Sequence, residues 1–151
     1  MIIGIFGESC TGKSTIAGEL ARRTAAKIYT GKDYLKLAKN EAEARNMFIS
    51  LLKNNVDTPD IFIYVISEKE HLNFLPDDSI RIYMTASLDI IKERFAKRMN
   101  GNMPPPVATM LENKHGMFNN EKYDFKFDTA DDSGDDICEK ILAYVKEKCD
   151  G

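Results

Sequence analysis

Cysteine is sparse in this chain: three residues, Cys10, Cys138 and Cys149, stand far apart in 151. That spacing offers neither a disulfide framework nor a metal-ligand cluster, and it points to a reducing, cytoplasmic setting. No apolar run approaches the length of a membrane span, so no membrane partner is expected. The apolar opening, Met1 to Phe6, carries no basic leader and runs straight into a glycine-rich loop, so it reads as fold and not as signal peptide. Long basic runs are missing too, and a net charge of −3 gives no footprint for nucleic acid. There is no internal repeat and no low-complexity tract; Pro104-Pro105-Pro106 is the one punctuation cluster. What remains, 43% hydrophobic and 30% charged, is the composition of a globular protein, long enough for one domain over 1–151 with a real core.

Against these absences stands one complete motif. Gly7-Glu8-Ser9-Cys10-Thr11-Gly12-Lys13-Ser14 matches G-x-x-x-x-G-K-[ST] in full. An apolar stretch suited to a central strand precedes it. Thr15 to Arg23 follows, with Ile16, Leu20 and the alanines at helical spacing. Strand, loop, helix is the setting in which this pattern binds nucleoside-triphosphate phosphates. Gly7 and Gly12 give the loop conformations closed to other residues, and the main-chain N–H groups from Gly7 through Ser14 line the anion cradle. The helix start near Lys13 adds unpaired N–H groups and a positive dipole end. Lys13 is expected on the β- and γ-phosphates, Ser14 on Mg²⁺ and Thr15 beside the α-phosphate. Cys10 reads as an inert loop filler or, beside a helix N-terminus, as a redox-sensitive thiol.

Strands are predicted at 1–6, 26–30, 60–66, 79–85 and 123–129. Helices are predicted after the loop, over 35–54, 68–75, 87–99, 107–118 and 135–148. Ser87 is expected to open its helix through a capping interaction, and 100–106 to break the chain. Strands alternating with helices predict an α/β fold, three layers (α/β/α) around a parallel sheet of about five strands. Ligand then binds at the carboxyl ends of the strands, among segments 30–35, 67–70 and 85–100. No N-K-x-D guanine-specificity element is present, and the chain is too compact for a GTPase switch pair. The third strand ends Val65-Ile66-Ser67-Glu68, without the hydrophobic-Asp-Glu ending of a motor ATPase.

The whole chain resembles the small P-loop nucleoside-monophosphate-kinase superfamily, in particular its cytidylate-, shikimate- and gluconate-kinase-like members. Besides the loop, Ile91-Lys92-Glu93-Arg94-Phe95-Ala96-Lys97-Arg98 is similar to the R-hydrophobic-x-x-R element leading into the lid of these kinases. The resemblance implies that Arg94 packs on adenine or touches phosphate, and that Arg98 clamps the transferring group. Arginines four apart share one helix face, so both can point at one anion; the alternative is a solvated basic face. Gly31-Lys32-Asp33 resembles the acidic element after the second strand, which makes Asp33 the acid that orients the acceptor; its bland alternative is a helix N-cap. Glu68 is the nearest acid to stand in for the missing metal-side carboxylate. Segment 33–55 is then the acceptor-binding part and 99–118 a short lid, with Lys32 free for an acceptor phosphate. The D-G-x-P-R signature of adenylate kinases is absent, and residues 100–106 carry no Arg, so Lys114 and His115 are the cations left to the lid. A fainter similarity to guanylate kinases runs through 31–34 and 112–124. The implied activity is ATP- and Mg²⁺-dependent transfer to a small acceptor, a nucleotide or nucleoside first. A nucleotide-binding sensor and a partner-stimulated ATPase are the rival readings.

Overall fold

The computed structural model describes residues 1–150. Five strands, β1 (Ile2–Phe6), β2 (Lys27–Thr30), β3 (Phe62–Ile66), β4 (Ile80–Thr85) and β5 (Phe125–Asp128), form one parallel sheet in the order β2-β3-β1-β4-β5. The helices are α1 (Lys13–Thr24), α2 (Glu41–Asn54), α3 (Leu88–Arg98), α4 (Pro105–Lys114) and α5 (Gly134–Asp150). β1 lies between β3 and β4, with Ile3 in register with Ile63 on one side and Ile80 on the other. The chain crosses from one side of β1 to the other between β3 and β4. The crevice at this switch point therefore opens beyond the carboxyl end of β1, where residues 7–14 begin.

Alternation along β1 divides the core. Ile3 and Ile5 face α1 and α5, packing with Ile16, Leu20, Ile137 and Ile141. Ile2 and Phe6 face the other way, into a layer with Phe48 and Leu52 of α2, Tyr64 and Phe118. Both faces of β1 and β3 are buried, which is why these strands read as unbroken apolar runs. Gly4 belongs to this packing, because a Cβ there would meet Leu75 Cδ1 at 2.5 Å. A third, smaller cluster (Cys10, Ala86, Ile91, Leu111) seats α3 and α4 against the glycine-rich loop.

The architecture is the three-layer arrangement the alternation predicts, with local differences. The 35–54 segment is two pieces, a 3-10 helix over Asp33–Leu37 and then α2, because Ala38 turns extended and Asn40 starts a new helix. Asn40 accepts a bond from the Glu43 N–H at 2.7 Å. The 68–75 segment is a 3-10 helix over Lys69–Phe74. α4 starts at Pro105, where a missing N–H costs nothing, and ends at Lys114, short of the expected 118. Ser87 does cap α3, accepting from the Ile90 N–H at 3.3 Å.

Candidate active site

The glycine-rich loop is held from below and from within. Gly7 donates to the Ile66 carbonyl at 3.2 Å, and a Cβ on Gly7 would collide with the Met84 carbonyl oxygen. Gly12, with φ +89°, is the left-handed cap from which α1 starts, and it offers no side chain to cap the first amides of α1. Cys10 is also left-handed (φ +63°), a strained conformation for a residue with a Cβ, and its buried side chain lies against Ala86, Ile91 and Leu111. That packing makes it the apolar filler of the two readings. Thr11 donates its hydroxyl to the Glu8 carbonyl at 2.8 Å, and the Lys13 ammonium donates to the same oxygen.

Lys13 is 5% exposed. Burial pushes its ammonium down to about 8 from the usual 10.5; Arg98 adds to the shift, and Cys10 and Glu8 oppose it. A buried cation at a helix N-terminus, with one neutral oxygen for company, is electrostatically matched to an anion. Ser14 and Thr15 are exposed on the first turn of α1. Ser14 and Glu68 offer oxygen donors of the kind Mg²⁺ takes, one or two protein oxygens completed by phosphate and water. Among the described residues, no group of three or more His, Cys, Asp or Glu side chains is gathered around a point.

The two arginines of α3 have different surroundings. Arg94 donates to the Cys10 carbonyl at 3.0 Å, to Thr129 Oγ1 at 2.8 Å and to the Thr129 carbonyl at 3.2 Å. Its guanidinium thus bolts the loop to the segment after β5. Arg98 is exposed one turn on. Both line a cavity of about 360 Å³ together with Gly12, Thr15, Thr129 and Asp132. Thr129 and Asp132 are members of this wall that the sequence reading missed; only their position after the last strand could have singled them out.

Asp33 stands apart from this group. β3 separates the end of β2, and so Asp33, from the loop. Asp33 accepts the Thr30 N–H at 2.9 Å, and Lys32, not Asp33, holds the cap position of the 3-10 helix. Glu68 is exposed, with Lys114 Nζ 3.7 Å from its carboxylate. The chain neighbours of Asp33, Lys32 and Tyr34, but not Asp33 itself, line a second cavity of about 360 Å³ with Arg45, Glu70, His71 and Asn73. His71 is 4% exposed, and its Nδ1 has no hydrogen-bond partner among the described residues. A larger hollow, about 740 Å³, is a groove on α2 beside Leu37, Met47 and Leu51. Glu43 is its one charged residue, so its size says nothing about phosphate chemistry.

Glu8 and His115 meet unexpectedly. The Glu8 carboxylate is 6% exposed, lies 3.0 Å from His115 Nδ1 and accepts the Gly116 N–H at 3.1 Å. No local spacing in the sequence links position 8 to position 115.

No protein-family model matches the chain, and no curated protein matches it by sequence. Solved structures do. An uncharacterised protein from Eubacterium ventriosum superposes with TM-score 0.71 at 18% identity, covering 97% of this chain and 98% of its own. The YorR protein from Bacillus subtilis, solved in complex with phosphorylated GDP, gives 0.66 at 22%, covering 100% and 99%. Shikimate kinase from Aquifex aeolicus gives 0.58 at 19%, again covering 100% and 99%. The chain therefore shares the three-layer α/β/α fold of these proteins over essentially its full length.

Proposed function

We propose that this protein is a small-molecule kinase that moves the γ-phosphoryl group of ATP to a small acceptor, a nucleotide or nucleoside first. One observation carries the reading: the Lys13 ammonium is buried at the start of α1, beside a cavity walled by two arginines. In this reading the loop amides and Lys13 bind the β- and γ-phosphates, and the donor nucleoside fills the cavity beside Arg94, Thr129 and Asp132. Ser14, with Glu68 reached through water, would hold Mg²⁺; when bound, the ion neutralises charge on the β- and γ-oxygens. Arg98 contributes a second positive charge to the transferring group. The acceptor occupies the cavity lined by the chain neighbours of Asp33, where Lys32 and Arg45 supply cations and His71 a buried ring nitrogen. An acceptor oxygen attacks the γ-phosphorus as its bond to the β-phosphate oxygen breaks, and ADP leaves. Where the acceptor is a hydroxyl, its proton passes to Asp33, whose second carboxylate oxygen is not engaged by Thr30. The B. subtilis protein solved with phosphorylated GDP supports a nucleotide acceptor; the Aquifex shikimate kinase supports a hydroxylated one.

One observation favours a second reading, a nucleotide-binding sensor or partner-stimulated ATPase. Both candidate carboxylates already have partners, Asp33 the Thr30 amide and Glu68 the Lys114 ammonium. The test is ADP release from MgATP against nucleoside monophosphates, nucleosides, shikimate and gluconate, repeated with Arg98→Ala. A kinase gives acceptor-dependent ADP, and Arg98→Ala lowers kcat more than it weakens ATP binding. Tight ATP binding with no turnover on any acceptor transfers support to the second reading.

A further inference from the structure

Glu8 works on two sides of the loop at once. Its carbonyl oxygen receives both the Lys13 ammonium and the Thr11 hydroxyl, inside the anion cradle. Its buried carboxylate faces the other way and holds His115 and the Gly116 N–H, just beyond α4. α4 is flanked by left-handed backbone, Asn100 (φ +58°) and Gly101 (φ +82°) before it and Gly116 (φ +82°) after it. Leu111 of α4 packs into the same small cluster as Cys10 of the loop. α4 therefore rests on the loop through one buried polar tie and one apolar one, while Lys114–Glu68 and Lys92–Glu112 tie it to its neighbours at the surface.

We propose that Glu8 is a positioning residue that transmits occupancy of the phosphate loop to α4. This rests on the nucleotide-site reading above. Phosphate draws the Lys13 ammonium off the Glu8 carbonyl, so the Glu8 main chain is the part of the loop freed to shift. The carboxylate on the same residue carries His115 and Gly116 with it. A loop residue whose side chain merely filled space would leave α4 indifferent to nucleotide.

Hydrogen exchange of the full chain, with and without the non-hydrolysable analogue MgAMPPNP, tests this. In the wild-type protein the analogue slows exchange at 13–16 and, severalfold, at 105–118. In Glu8→Ala, at an analogue concentration raised until 13–16 is again protected, the response at 105–118 disappears. Glu8→Gln keeps an acceptor for the Gly116 N–H and restores it, which loss of general stability would not do. Should Glu8→Ala fail to fold, His115→Ala cuts one of the two bonds from the exposed partner and is expected to diminish the response. A wild-type response in Glu8→Ala, or in His115→Ala where that variant decides, overturns the coupling. So does analogue bound to the wild type with 105–118 unmoved. Failure of the wild type to bind the analogue overturns the nucleotide-site reading, and the coupling with it.

Discussion

Lys13 is a cation kept in a place that disfavours its charge. Its folded pKa of about 8 lies below the unfolded value of 10.5, so between those values the unfolded chain holds more protons than the folded one. Stability from this group therefore rises with pH across that window, and below about 8 the full cost is present, about 3 kcal/mol. Lys13→Met keeps most of the apolar stem and removes the charge. The expected outcome in urea unfolding at pH 7 is a variant at least as stable as the wild type, with the difference shrinking by pH 10.5. Nucleotide binding is lost in the same variant, because the anion has lost its buried partner. A variant less stable than wild type by more than about 1 kcal/mol would show that the bond to Glu8 outweighs the desolvation. Arg94 shows the opposite balance. Its charge is satisfied by two carbonyls and a hydroxyl, so it builds the wall of the cavity, whereas Arg98 lines the same cavity from an exposed position.

Among the elements, strands and caps follow from short-range chemistry and were legible for that reason. Both faces of β1 and β3 are covered, so their sequences are uniformly apolar, and Ser87 caps α3 as its position suggests. The break inside 35–54 was not legible from apolar spacing, since Leu37, Ala38 and Ala42 continue a plausible helical face through the turn. Its marker was polar: Asn40 followed by Glu41 and, three residues on, Glu43. Asn40→Ala removes the acceptor for the Glu43 N–H and is expected to cost about 1 kcal/mol, with fraying confined to the first turn of α2. Chemical denaturation with exchange rates at 41–44 checks both parts. An unchanged midpoint would mean that packing of Tyr34 against Phe48, ring centroids 5.6 Å apart, sets the start of α2.

At the scale of the whole molecule, the glycine-rich loop was legible as a strand–loop–helix unit because it is contiguous: eight residues in a row hold the motif. The rest of the site was not, because it is assembled by topology. Arg94 meets Thr129 only because β4 and β5 are neighbours, and Glu8 meets His115 only because α4 folds back over the end of β1. The same topology makes the site inseparable from the core. β1 ends in the loop and contributes Ile3 and Ile5 to one apolar layer, Ile2 and Phe6 to the other. A ligand gripping residues 7–14 therefore stabilises both layers together. MgATP at 100 times its Kd should add roughly 2.7 kcal/mol to folding, a rise of about 5–10 °C in Tm for a chain of this size. The melt should stay a single transition that moves as a whole, followed by circular dichroism and by tyrosine fluorescence. Lys13→Met should show no shift under the same conditions. Two transitions, with MgATP moving only one, would mean that the layers on either side of β1 unfold separately and that the loop belongs to one of them.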